Sequence, residues 1–256
     1  MTDVEPRQRQ SWHSHRLDAP VVFGRSQTLL VGEGAAQSTV FERGDDPGLA
    51  EALAERLEAS RSTATAQPVA FGAFGFRWDS PAIFVHPNRV RRLSRSELTR
   101  VLDEHARLET STRTLVTHES PSRETYAERV REALARIADD GPLRKVVLGR
   151  WVDVVCDPAV SEPELLRAML GHGDHAYLFD LPRIDTRPGS TASLVGISPE
   201  LLVSRRGRTV ASLPLAGSIP RSADPAEDHR RGEGLLQSGK DHREHAMVVE
   251  ALTDSL

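Results

Sequence analysis

The sequence predicts an α+β protein made of mainly antiparallel strands with interspersed helices. Three observations predict it. Short apolar runs are separated by glycine-containing turns, several other stretches repeat their apolar residues every three or four positions, and no internal repeat, low-complexity tract or linker divides the chain. With 256 residues, 38% hydrophobic and 27% charged, there is enough chain to bury a sizeable core in one large body.

Residues 1–20 are polar and are read as a mobile start, with the folded body beginning at Val21. VVFGR and TLLVGEG are short, apolar and glycine-bounded, which predicts strands, followed by STVF at 38–41. Asp46-Pro47 then opens GLAEALAERLEA, where Leu49, Leu53 and Leu57 recur every fourth residue as one face of an amphipathic helix. The stretch PVAFGAFGF from Pro68 is too broken by glycine for a long helix and too apolar for an exposed loop. It predicts a buried strand with close backbone contacts, and AIFVHP at 82–87 is its expected neighbour.

Residues 97–108 predict a helix with Leu98, Val101, Leu102 and His105 on one side, and 110–120 predicts a strand or a linker. Ser122 can cap a helix whose apolar stripe is Tyr126, Val130, Leu134 and Ile137, stopped by Asp139-Asp-Gly-Pro. RKVVLGRWVDVV then predicts a largely buried strand over 144–154. EPELLRAML reads as a short helix, and GHGDHAYLFDLP and SLVGISPELLVSRRGRTVASLP as antiparallel strands joined by glycine turns. Asp224-Pro225 opens a helix to about Gln237, and Ser238 can cap a second, GKDHREHAMVVEALTDSL.

Composition narrows the partners. The 33 basic and 37 acidic residues give a net charge of -4, which argues against nucleic acid or an anionic membrane recognised through bulk positive charge. No run approaches a membrane span, the start lacks the apolar core of a secretory signal, and the sole cysteine, Cys156, cannot form an internal disulfide. The expectation is a cytoplasmic protein with no nucleic-acid partner and no membrane partner. The basic residues are 31 arginines and two lysines, Lys145 and Lys240. Where arginine serves as the general cation, a lysine points to chemistry that arginine cannot perform, because only the ammonium can be tuned to release its proton near neutrality.

Lys145 lies near the start of the predicted 144–154 strand, on the face of Val147 and Gly149; in an apolar pocket it could be a general base, and at a strand edge a solvated charge. Lys240, at a helix start, reads as a solvated charge. Glu200 follows Gly-Ile-Ser-Pro and precedes Leu-Leu-Val, so it is either a carboxyl group held at a sheet mouth, able to act as a general acid, or an ordinary turn glutamate. Asp241 and Glu244 share a helix face and offer the hard oxygens that suit Mg²⁺, although two acids on a helix surface are common. His242 and His245 read as helix-surface residues, with no zinc pattern around them. In PLAGSIPR, Ala216, Gly217 and Ser218 could bring backbone N–H groups and a hydroxyl to an anionic ligand, or form a structural turn.

Four blocks in order, RKVVLGR at 144–150, LVGISPELL at 194–202, PLAGSIPR at 214–221 and GKDHREHAMVV at 239–249, together resemble the chorismate-utilising enzymes, most nearly the isochorismate synthases of siderophore type. The resemblance covers about residues 20–256 and implies large, mainly antiparallel sheets with helices outside. It implies that 21–256 is a partial catalytic domain, with Lys145 as the base activating water and Glu200 as the acid protonating the departing hydroxyl. Glu244 would be one Mg²⁺ ligand, and Ala216, Gly217 and Ser218 would line the chorismate site. Lysine at 145 resembles the water-using members, since anthranilate synthases usually carry glutamine there. Salicylate synthases share the same apparatus and remain an alternative, as does a truncated binding module. The family pattern continues past this chain with further strands, a second metal glutamate and substrate-gripping tyrosine and arginine groups. The implied complete protein is a monomer, and the 256-residue chain alone is expected to be inactive.

Overall fold

The computed structural model describes residues 16–17, 20–25, 28–34, 36–59, 68–77, 79–105, 113–138, 142–172, 175–182 and 192–255. Most of the polar segment 1–20 and the helix stop at 139–141 lie outside the described residues. In chain order the elements are β1 (Arg16–Leu17), β2 (Val21–Arg25), β3 (Thr28–Glu33), β4 (Ala36–Phe41), α1 (Leu49–Ala59), β5 (Phe71–Phe74), β6 (Ala82–His86), β7 (Arg89–Leu93), α2 (Arg95–His105), β8 (Thr114–Ser120), α3 (Arg123–Ala138) and β9 (Trp151–Asp157). Then come α4 (Glu162–Leu170), β10 (Tyr177–Pro182), β11 (Ser193–Ser198), β12 (Leu201–Arg206), β13 (Thr209–Leu213), α5 (Pro225–Leu236) and α6 (Gly239–Ser255). Among the described residues every strand pairing is antiparallel, in keeping with the α+β expectation.

The chain forms two compact units. The first comprises residues 1–109 and 161–199 and contains a four-stranded sheet, β1-β4-β6-β5, and a five-stranded one, β11-β10-β2-β3-β7. Its largest cluster packs Val22, Leu29, Val31, Leu93 and Leu178 of the five-stranded sheet against Leu98 and Leu102 of α2 and Leu166 and Leu170 of α4. A second cluster joins Val21, Phe71, Val85 and Leu181, and a third places Phe41, Ala82 and Phe84 against Leu49 and Leu53 of α1. Strand β6 is therefore buried along its whole length. The glycine-broken stretch from Pro68 forms its partner β5, and a Cβ at Gly72 would lie 2.4 Å from the Phe84 ring, which is the close approach that glycine permits. β5 is an edge strand rather than a buried one: Phe71 is enclosed, while Phe74 is exposed.

Helix α2 begins at Arg95, two residues ahead of the expected 97, because Ser94 and Glu97 form a capping box. The Glu97 amide donates to Ser94 Oγ at 3.2 Å, and the Ser94 amide donates to Glu97 Oε2 at 2.7 Å. The same device, Ser161 with Glu164, starts α4.

The second unit comprises residues 110–160 and 200–256. It holds the β8–β9 and β12–β13 ladders and helices α3, α5 and α6. Ser122, Asp224 and Ser238 cap those helices as the sequence expects, their side-chain oxygens accepting from the amides of Thr125, Ala226 and Asp241.

The expected strand over 144–154 is corrected. β9 runs from Trp151 to Asp157, and residues 143–150 are in no regular element. The cause is the partner strand: β8 pairs Thr114 with Asp157 through to Ser120 with Trp151, and Pro121 follows with no N–H to donate. Residues before Trp151 thus have no ladder to join. Nor is β9 buried; all of its residues except Cys156 are exposed. Among the described residues no helix is long and apolar enough to cross a membrane.

Candidate active site

The residues singled out by chemistry all fall in the second unit, around the irregular stretch between β13 and α5 and the first turns of α6. The β12–β13 register pairs Leu201 with Leu213, so Glu200 and Pro214 leave the hairpin side by side. Glu200 turns back onto this stretch, and the Leu215 amide donates to its Oε1 at 3.3 Å. Ser212 Oγ donates to the Leu201 carbonyl at 3.4 Å and ties the hairpin behind it.

Two contacts fix the same stretch to α6. His245 Nε2 hydrogen-bonds the Pro214 carbonyl at 3.3 Å, the carbonyl accepting. Gly217 adopts φ +81°, and a Cβ there would come within 2.9 Å of the Asp241 side chain. Only glycine combines that left-handed backbone with that approach. Ala216 is half-buried in the turn and Ser218 is exposed on it.

Lys145 arrives from the unpaired segment before β9. Its Nζ donates to the Glu244 carbonyl at 3.2 Å across 99 residues of sequence. The segment is steadied by Tyr126 of α3, whose hydroxyl donates to the Leu148 carbonyl at 3.4 Å, and by the ion pair of Arg150 with Glu119 of β8. Glu244 carries Lys145 on its main chain and Lys240 on its side chain, with Lys240 Nζ 3.0 Å from Oε1 and 3.6 Å from Asp241 Oδ1. The Glu244 hydrogen bond and charge raise the Lys240 ammonium above its ordinary range.

The structure brings the residues singled out in the sequence near one another and adds contacts at two of their neighbours. Lys240 is exposed, as expected, yet it is paired with Glu244. His245, expected as a surface residue, is a strut. The signal for Lys240 was present in its i,i+4 spacing to Glu244; nothing local announced the His245 contact, which spans 31 residues.

Glu244 and Asp241 are the carboxylates that could hold a magnesium ion here. Among the described residues no group of three or more His, Cys, Asp or Glu side chains gathers to hold a metal. Mg²⁺ is commonly held by one or two carboxylates, with water and substrate oxygens completing its shell. Glu244 offers one carboxylate, Asp241 lies one turn before it, and the Lys240 ammonium is paired with both.

A family model for chorismate binding enzymes matches residues 85–256. The chain belongs to that family. The isochorismate synthase DhbC of Bacillus subtilis is 38% identical over 207 residues, which is 80% of this chain and 50% of that protein. The vibriobactin-specific isochorismate synthase of Vibrio cholerae is 33% identical over 236 residues, 91% of this chain and 55% of its own. A crystal structure of DhbC from Bacillus anthracis matches with a TM-score of 0.78 at 32% identity, covering 93% of this chain and 60% of that one. The chorismate-binding fold is thereby shared, and the chain spans about half the length of the curated relatives it matches.

Proposed function

We propose that this chain supplies the base, the acid and one metal carboxylate of an isomerase that converts chorismate to isochorismate. Lys145, acting as the base, takes a proton from water as the oxygen bonds to one ring carbon. The ring double bonds shift, and Glu200 donates a proton to the hydroxyl on another carbon, which leaves as water. One water enters and one departs, so the formula of the ring compound is unchanged, and Lys145 and Glu200 recover their protonation states by exchange with solvent. The 214–218 turn would present the Gly217 backbone and Ser218 Oγ to the substrate. Glu244 would hold Mg²⁺, whose charge grips a substrate carboxylate when it is bound. The cytoplasm as location and a monomeric complete protein belong to the same proposal, as does use of the product in siderophore or menaquinone synthesis.

The observation that carries the reading is convergence. Glu200 on the turn, Asp241 against Gly217, and Lys145 on Glu244 tie four separated motif blocks into one hydrogen-bonded and packed constellation. The names of the similar proteins supply the reaction. The chain spans about half of those relatives, and no described residue of its second unit is buried. We therefore expect the 256 residues on their own to lack turnover. The test is incubation of the protein, in the length at which it is naturally expressed, with chorismate and Mg²⁺, followed by chromatographic separation of products. Isochorismate as sole product, abolished by Lys145→Ala and by Glu200→Gln, is expected. Salicylate with pyruvate would make it a salicylate synthase, and no chorismate binding would leave a module without this chemistry.

A further inference from the structure

The sequence has 31 arginines and two lysines, and both lysines end on Glu244, one on its carbonyl and one on its carboxylate. Helix physics gives no reason for the second. Lys240 is the second residue of α6, where the unpaired N–H groups and the macrodipole disfavour a cation. In an i,i+4 ion pair the favourable order puts the acid first, and here the lysine comes first. An exposed pair of this kind adds little stability in water.

What the position does offer is two carboxylates. Asp241 is held against Gly217, and Glu244 faces Lys240 one turn on, so the ammonium sits 3.6 Å from one and 3.0 Å from the other. A guanidinium would grip such a site through its planar fork, whereas an ammonium is a compact point charge on a flexible stem that can leave one oxygen without dismantling anything. The Lys240 side chain is 70% exposed, so solvent is open to it when it leaves.

We infer that Lys240 is the resident countercation of this pair, offsetting one of the two negative charges of Glu244 and Asp241 in the metal-free protein and giving up Glu244 Oε1 when a divalent cation binds. It thereby sets how tightly the metal is held. This rests on the reading of Glu244 as a metal ligand.

The test is Mn²⁺ binding, followed by the electron paramagnetic resonance of free Mn²⁺, for the whole chain and its K240M and E244Q variants. Far-UV circular dichroism confirms that α6 persists in each. K240M is expected to bind Mn²⁺ at least threefold more tightly than the unaltered protein, and E244Q to lose binding. In protein carrying ¹³C-labelled lysine, only two side-chain signals exist to assign, and the Lys240 signal should shift on Mg²⁺ titration with the midpoint of metal binding. Equal or weaker binding by K240M, with E244Q inactive in binding, would overturn the role of Lys240 and leave the metal site standing. Binding by E244Q at the unaltered affinity, or no binding by any of the three, would overturn both.

Discussion

Residues 1–109 and 161–199 remove Leu29, Leu98 and Leu178 from water almost entirely, whereas no described residue of 110–160 and 200–256 is buried. The two units are built from the same materials, antiparallel ladders and capped amphipathic helices. They differ in what covers the apolar faces. In the first unit α2 and α4 close one side of the five-stranded sheet and α1 closes part of the four-stranded one. In the second, Leu115, Val116, Val154 and Val155 on β8–β9 and Leu202, Val203 and Val210 on β12–β13 stay exposed. The proposed chemistry thus sits in the unit in which no described residue is buried, and regions with few buried contacts open locally at low cost.

The sharpest way to break this contrast is to truncate one strand residue in each unit. Leu178 of β10 is fully enclosed, so Leu178→Ala should cost about 3 kcal/mol of the first unit's stability through lost transfer energy and a cavity. Val154 of β9 is half exposed, and Val154→Ala should cost about 0.5 kcal/mol. Urea unfolding with residue-resolved amide exchange reads both, and equal losses would mean that the second unit has a core after all.

The sequence made the first unit legible because its cues are local. Leu49, Leu53 and Leu57 define α1, and the alternation of apolar runs with turns places β2, β3 and β6. In the second unit the caps at Ser122, Asp224 and Ser238 were equally readable, but KVVLG at 145–149 was not. Its β-branched residues promise a strand, and whether they form one depends on a partner that ends at Ser120, 25 residues earlier than Lys145. The candidate site shows the same division. Lys145, Glu200, Gly217 and Glu244 stand out by residue type and motif, and the Lys240 pair with Glu244 was readable in its i,i+4 spacing, while the contact of His245 becomes visible only once α6 lies against the stretch that begins at Pro214.

A smaller effect separates the units by pH. Asp180 of β10 is enclosed at 3% exposure, and burial, with the charge of Glu162 second, raises its carboxyl from 3.8 to about 7. The folded state therefore holds a proton that the unfolded chain has released. The contribution of this group is fully present below pH 3.8 and is lost as the pH rises towards 7. His86, buried and near Arg56, is held below its ordinary 6.5 and works the other way, its contribution being lost as the pH falls below that value. Asp180→Asn should remove the alkaline loss and stabilise the first unit at pH 7.5 by on the order of 2 kcal/mol. The second unit's amide exchange, corrected for the intrinsic pH dependence of exchange, should be unaffected. An unchanged pH profile of unfolding would show that Asp180 is ionised in the fold.

A further contrast concerns the helix caps, which are chemically alike and differently placed. Ser161 begins α4, whose Leu166 and Leu170 are locked into the first unit's core, so the helix cannot fray without exposing them. Ser122 begins α3, which has no buried residue to lose. Each serine accepts a hydrogen bond from the third amide of its helix, and replacement by alanine costs about 1 kcal/mol. The cost should surface in different measurements. Ser161→Ala should lower the global stability of the first unit by that amount. Ser122→Ala should leave that transition in place and instead speed amide exchange over the first two turns of α3, about fivefold for 1 kcal/mol at 25 °C. If Ser122→Ala shifted the first unit's unfolding midpoint as far as Ser161→Ala does, α3 would belong to the same cooperative block, and the contrast between the units would be one of solvent exposure without one of stability.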